Sequence, residues 1–287
     1  LMEEKIHNLI NERNPWLLKS NFLSKTLYKI LKKYLKFNET VFVGEHIQSM
    51  SGQEAFSWLG NEYTSNCTVE GLENIPREGK FLIVSNHPMG AADAIALYHQ
   101  IYPVRDDLFF FANELFVYLL GAFHDLLAPV VWNREKETHS ANKVTLERLS
   151  VFFGDDRGGI IFPSGRLSKL TLFGLWDRPW ESTPIALAKK YNFPLVPVYV
   201  EGRNSWFFYF ASYLNKQLRD VSQLNELSNK RNVKRSIKIG KPVNVSTLSD
   251  NNDVAINQLR YMSESLRKNA LLKLNRNMDI FHILCIY

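Results

Sequence analysis

The stretch Phe81 to Leu97, FLIVSNHPMGAADAIAL, ends a short apolar run in an Asn-His pair and a proline, and sets Asp93 six positions beyond His87. A carboxylate that orients an imidazole makes a group able to take and return a proton near neutral pH. The bland alternative is a plain hydrogen-bonded pair at a helix cap, which an isolated His near an Asp more often is, so spacing alone decides nothing.

Local elements must place the two side chains. Phe81–Val84 is too short and too rich in β-branched and aromatic residues for a helix and reads as a buried strand. Pro88 drives His87 out of the α region while suiting the first position of a helix, so His87 belongs at a strand-to-helix corner. Gly90, Ala91 and Ala92 leave the first turn without bulk, and Asp93 falls in or near it, where the helix dipole favours a carboxylate. In open α/β sheets ligands bind at the carboxyl ends of strands, where this corner is predicted to lie.

Three later stretches also end a strand in polar residues. Gly159–Lys169, GIIFPSGRLSK, carries Ser164, Gly165 and Arg166 on a Pro-x-Gly turn whose backbone N–H groups and guanidinium suit a phosphate or carboxylate. Pro194–Phe210 runs into Arg203, and Ala128–Lys136 into Arg134. Singly, each arginine is more often a surface or salt-bridge residue; together they would surround one crevice.

Strands are predicted at Phe81–Ser85, near Leu108–Ala112, and at Ala128–Trp132, Gly159–Pro163, Leu195–Val200 and Ser236–Ile239. Helices are predicted at Ala91–Ile101, Glu114–Leu120, Ser140–Phe153, Ser182–Lys190 and Asn252–Leu274. This alternation implies an α/β fold with a mostly parallel sheet flanked by helices. An N-terminal helical membrane-association segment, 1–60, would precede an α/β domain over 61–287 that ends in the C-terminal helix. The apolar tail FHILCIY carries no readable chemistry.

The chain has 287 residues, 45% of them hydrophobic, enough for a substantial core. Its two cysteines, Cys67 and Cys285, form no pair motif, and its seven histidines show no ligand spacing, so neither a disulfide framework nor a metal is expected. The net charge of +6 is unevenly spread: PWLLKSNFLSKTLYKILKKYLKF, Pro15–Phe37, holds six lysines and no acidic residue. Its helical periodicity fits a membrane-surface helix and, equally, a core-packed helix with a solvated lysine face. Lysine dominance without a recognisable module argues against nucleic acid. The polar N-terminus predicts no secretory leader, and no apolar run reaches the ~18 residues of a spanning helix. Leu108–Trp132 comes nearest, and it reads equally as buried, as dipping into an interface, or as lining an acyl-chain cavity.

Over about residues 68–245 the chain resembles the glycerolipid acyltransferases related to the enzyme that acylates lysophosphatidic acid. NHPMGAAD, VVWNRE, FPSGRLS and LVPVYVEG reproduce that family's four blocks in order, after the run-in GLENIPREGKFLIVSNH. Agreement of four ordered blocks is far more specific than any one of them. The His-x5-Asp spacing is one residue longer than the common pattern and resembles the hemolysin-like branch, with Gly90 able to absorb the insertion. Ser164 stands where the family usually has glutamate.

The resemblance implies O-acyl transfer from acyl-ACP or acyl-CoA to the hydroxyl of a lyso-phospholipid or aminolipid, with no cofactor and no metal. His87 is then the general base and Asp93 its orienting partner. Arg134 and Arg166 are expected to hold the acceptor head group or donor phosphates, with Ser164 and Arg203 behind them. Backbone N–H groups around Gly90 or Gly165 are candidates for the oxyanion. The replaced glutamate weakens the case for a glycerol-phosphate acceptor and favours an aminolipid or another lyso-lipid. Peripheral attachment to the cytoplasmic face of a membrane is expected. The rival reading is a non-catalytic membrane-surface lipid-binding protein that keeps the fold; a hydrolase lacks its Gly-x-Ser-x-Gly elbow.

Overall fold

The computed structural model describes residues 2–13, 22–34, 36–113, 121–130, 139–172, 174–214, 216–231 and 233–267. Among these residues, helices α1 (Met2–Arg13), α2 (Phe22–Tyr34), α3 (Phe37–Ile47) and α4 (Gly52–Thr64) lead the chain. Strands and helices then alternate: β1 (Cys67–Glu70), β2 (Phe81–Ser85), α5 (Ala91–Ile101), β3 (Leu108–Asn113), β4 (Leu127–Val130), α6 (His139–Gly154) and β5 (Gly158–Ile161). After them come β6 (Lys169–Thr171), β7 (Gly174–Trp176), α7 (Thr183–Tyr191), β8 (Leu195–Glu201), α8 (Trp206–Leu214), α9 (Lys216–Ser228), β9 (Arg235–Ile239) and α10 (Asn252–Ser265).

Seven strands form one sheet in the order β1-β9-β8-β2-β5-β3-β4, while β6 and β7 make a separate antiparallel hairpin. Within the sheet, among the described residues, only β8 and β9 pair antiparallel; every other strand pair is parallel, as the alternation of elements predicts. β2 lies between β8 and β5, and all five of its residues are buried. Side chains alternate across a strand, so β2 divides its apolar content between two layers. Phe81 and Ile83 join a core with Phe56 and Leu59 of α4 and with Ile95 and Tyr98 of α5. Leu82 and Val84 join a second core with Phe152 and Phe153 of α6, Ile185 of α7 and Ile256 of α10. Each such side chain contributes about 1.5–3 kcal/mol when fully buried.

The sequence-based helix and strand positions reappear with ends shifted by a residue or two, except that the described part of the last helix stops at Ser265. The expected helix Glu114–Leu120, the end of the strand expected to Trp132, and FHILCIY lie outside the described residues. Three features were not anticipated: the four-residue edge strand β1, the β6–β7 hairpin, and helices α8 and α9. β1 is too short for a clear pattern, and α8, WFFYFASYL, is apolar nearly all round and so lacks the polar stripe that marks a helix. The expected boundary at residue 60 falls inside α4, and Val43 and Ile47 of α3 belong to the same core as the sheet.

β5 is squeezed between aromatic side chains of its neighbours. A Cβ on Gly158 would lie 2.5 Å from the Phe81 ring and 3.0 Å from Leu108. Gly158→Ala is therefore expected to destabilise the fold by about 1–3 kcal/mol in urea unfolding. Gly154→Ala in α6, where an added Cβ meets nothing within 4 Å, should be neutral or stabilising by up to ~1 kcal/mol.

Candidate active site

The site is built where β2 ends. Beyond Ser85, the Asn86 side chain takes over the pairing of the strand with β8: its carboxamide donates to the Val200 carbonyl (2.9 Å) and accepts from the Val200 N–H (2.7 Å). Asn86 is buried, so this pair holds the chain against β8 where it must turn. Gly90 then adopts φ 77° and ψ −134°, a conformation that side chains with a Cβ rarely tolerate. That turn brings the N–H groups of Met89 and Gly90 onto Asp93 Oδ2, at 2.8 and 3.0 Å. Both donors sit at the N-terminus of α5, where unpaired N–H groups and the dipole favour an anion.

His87 Nδ1 lies 3.0 Å from the same Asp93 Oδ2, with the Asp93 side chain wholly buried and that of His87 19% exposed. The approach is bent, and Nδ1 has no well-aligned hydrogen bond, a state common in catalytic pairs without substrate. The imidazole stacks on Phe162, ring centroids 4.0 Å apart and planes 21° from parallel. The ring is thus held on one edge by a carboxylate and on one face by an aromatic, which leaves Nε2, at its other end, for a proton from a bound molecule.

The turn after β5 closes over this corner. Ser168 donates its N–H to the His87 carbonyl (2.9 Å) and its hydroxyl to Asp177 Oδ1 (2.9 Å). Trp180 Nε1 donates to Asp177 Oδ2 (2.7 Å). Burial pushes the Asp177 carboxyl above its ordinary value, while the hydrogen bonds from Trp180 and Ser168 and the nearby His87 oppose the rise. On the opposite side, Asn204 Nδ2 donates to the Pro88 carbonyl at 3.4 Å. Next to it, Ser205 donates its N–H (2.9 Å) and hydroxyl (2.6 Å) to Glu226, which also pairs with the buried Lys230 at 2.8 Å. Burial lowers Lys230, and the charges of Glu226 and then Asp93 pull the other way.

The sequence-predicted residues divide by location. His87 and Asp93 meet. Ser164 is buried with its hydroxyl on the Arg166 carbonyl (2.8 Å), inside its own turn. The Gly165 N–H is taken by Phe162 and the Gly90 N–H by Asp93, so neither is available to an oxyanion in this arrangement. Arg166 and Arg203 are exposed, and Arg134 lies outside the described residues. Sequence reasoning missed Asp177, Trp180 and Arg178. A signal was present in WDRPW, because a buried indole N–H needs an acceptor and an Asp three residues away supplies it. Burial lowers the Arg178 guanidinium, and the like charges of Arg166 and Arg219 add to the effect. Arg166, Arg178 and Arg219, far apart along the chain, are therefore close enough to feel one another's charge. A separate cavity of about 550 Å³, lined by residues that include Cys67, Glu201, Lys234 and Arg235, opens at the outer strands and does not reach His87.

Replacing Asn86 with Ala would leave both backbone groups of Val200 without side-chain partners. We expect a loss of about 2–3 kcal/mol in chemical unfolding; an unchanged midpoint would show that the Asn86–Val200 pair does not hold the corner.

A profile of the family described as acyltransferase matches residues 19–279 of the chain. The lyso-glycine lipid O-acyltransferase of Phocaeicola vulgatus is 30% identical over 182 residues, 61% of this chain and 63% of that protein. The chain thus spans a little under two thirds of that relative. The protein of the same description from Bacteroides thetaiotaomicron is 28% identical over 230 residues, 77% of this chain and 82% of that one. The crystal structure of the 1-acyl-sn-glycerophosphate acyltransferase of Thermotoga maritima aligns with a TM-score of 0.46 at 18% identity, covering 92% of this chain and 93% of that one.

Proposed function

The chain belongs to the acyltransferase family, and from that premise we propose that it transfers a fatty acyl group from a thioester to the hydroxyl of a lyso-lipid with an amino-acid head group. The observation that carries this reading is the 3.0 Å approach of His87 Nδ1 to a wholly buried Asp93 carboxylate at the end of the central strand. Neutral His87 takes the proton of the acceptor hydroxyl on Nε2 as the oxygen attacks the thioester carbonyl carbon. The tetrahedral adduct collapses with cleavage of the C–S bond, and the departing sulfur takes the proton back from the imidazolium. An ester and a thiol result, with no acyl-enzyme. Asp93 keeps the imidazole in the tautomer that leaves Nε2 unprotonated and stabilises the cation that forms.

The proposed acceptor class has two supports. Both curated relatives are described as acting on a lyso-glycine lipid. A glycine head group ends in a carboxylate, which a guanidinium binds in a planar, two-point fashion, and Arg166 and Arg178 flank in sequence the Ser168 and Asp177 that bond each other beneath the His87 carbonyl. The lysine-rich α2 supports attachment to a membrane surface, where such a lipid resides. Among the described residues no helix is long and apolar enough to cross a membrane.

The test is to incubate the purified chain with a lyso-glycine lipid and, in separate arms, acyl-ACP or acyl-CoA, and to follow the diacylated product by mass spectrometry. His87→Ala should lower turnover by about 10²–10⁴-fold with an unchanged melting temperature, since that is the usual contribution of a positioned base. Asp93→Asn should cost on the order of 10⁴-fold if the carboxylate sets the tautomer. Wild-type turnover by His87→Ala would sink the mechanism. A product formed only from lysophosphatidic acid would sink the acceptor assignment.

A further inference from the structure

Helix α8 turns its apolar residues the wrong way for a soluble fold. Phe208 and Ala211 point inward and are buried. Trp206, Phe210, Tyr213 and Leu214 recur at helical spacing on the outside, 70%, 59%, 89% and 58% exposed. A contiguous exposed apolar face marks a contact site, whereas scattered exposed residues mean little. The types are also telling, because Trp and Tyr combine an apolar body with a polar tip suited to a boundary between water and hydrocarbon.

Two other elements also expose apolar or basic residues. Tyr34 of α2 packs on Phe207 of α8, ring centroids 4.0 Å apart, which joins the two helices. α2 contains no acidic residue and presents Phe22, Lys25, Lys29 and Lys33 to solvent, positions that share one side of a helix. On the other strand exit, Leu172 at the tip of the β6–β7 hairpin is fully exposed. α8 and the hairpin leave the carboxyl ends of β8 and β5, the two strands flanking β2, so both rise from the edge of the sheet that carries His87. α8 is also tied to that corner, through Asn204 to the Pro88 carbonyl and through the Asn204 N–H to Tyr209 Oη (3.0 Å).

We propose that α8 is a membrane-docking helix: its outer aromatic face enters the interface of a bilayer bearing anionic head groups, with the α2 lysines alongside. The proposal deepens the reading of an enzyme that acts on a lipid acceptor, and it specifies how the site meets that acceptor. Docking through α8 sets the His87 corner at the depth of the head groups, so that a lyso-lipid needs to travel only a short way out of the bilayer. A basic stripe beside an aromatic face fits an anionic lipid surface better than a second copy of this chain, which would set lysines against lysines.

The experiment is vesicle co-sedimentation of wild type, of the triple variant Trp206→Ser/Phe210→Ser/Tyr213→Ser, and of Lys25→Gln/Lys29→Gln/Lys33→Gln. Vesicles are phosphatidylcholine alone or phosphatidylcholine with phosphatidylglycerol. Circular dichroism and melting temperature report the fold, which the exposed positions should leave intact. The expected result is strong partitioning of wild type onto the anionic vesicles, reduced on the order of tenfold or more by the aromatic triple variant. The lysine variant should lose most of the preference for anionic over neutral vesicles. Unchanged vesicle binding by a folded aromatic variant overturns the proposal, as does absence of wild-type binding. A wild-type dimer that the aromatic variant converts to monomers, with vesicle binding intact, overturns it in favour of a contact between copies. Vesicle binding needs no turnover, so an inactive chain that still docks through α8 would count against the enzymatic reading alone.

Discussion

A carboxylate with no solvent exposure needs hydrogen-bond donors, and among the described residues those of Asp93 converge on one oxygen, Oδ2, while Oδ1 has none. Its Oδ2 is met by two backbone N–H groups and by the His87 ring, all from the corner between His87 and Asp93. That convergence requires Gly90 in a conformation closed to most residues and Pro88 at the entry to α5. Farther out, the Asp93 charge partly offsets the burial that lowers Lys230 and Arg235. The geometry of the His–Asp pair is thus a consequence of how an anion is accommodated at a helix N-terminus.

The sheet supplies the rigidity that the corner lacks. β2 is central and apolar on both faces, so it cannot shift register without moving side chains between two packed cores. Asn86 prolongs the β2–β8 pairing past the last strand residue, and the two glycines of β5 let aromatic rings close in from both neighbours. The histidine is therefore carried just past the end of a strand buried along its whole length, while Arg166 and Arg203 ride on turns and loops. That division suits a site in which proton transfer demands fixed geometry and the head group and donor arrive from outside.

Loops on both sides then fasten the corner through main-chain carbonyls. Ser168 takes the carbonyl of His87 and Asn204 that of Pro88, and each is anchored in turn, Ser168 by Asp177 and the Asn204–Ser205 segment by Glu226 and Lys230. A buried pair such as Glu226–Lys230 adds little net stability, because desolvation offsets the attraction, but it fixes one arrangement of α9 against the exit of β8. α8, between those points, is held in place while its outer face stays apolar and uncovered.

Local chemistry was enough to locate β2, the turn at Pro88, α5 and the His87–Asp93 pair, because each rests on contacts a few residues apart: proline geometry, glycine freedom, helix-end donors. The mostly parallel sheet also followed, since alternating strands and helices admit few other arrangements. The hydrogen-bond partners of Ser164 and of the Gly90 and Gly165 N–H groups did not follow, because a hydroxyl or N–H looks available in a sequence until a neighbouring carbonyl or carboxylate is seen to take it. Asp177, Trp180 and the Glu226–Lys230 pair reach the corner from distant parts of the chain, so nothing local marks them as its partners. The outward face of α8 was hidden for a related reason. An all-apolar helix has no preferred side in sequence, and only packing of Phe208 and Ala211 against the domain decided which of its residues face out.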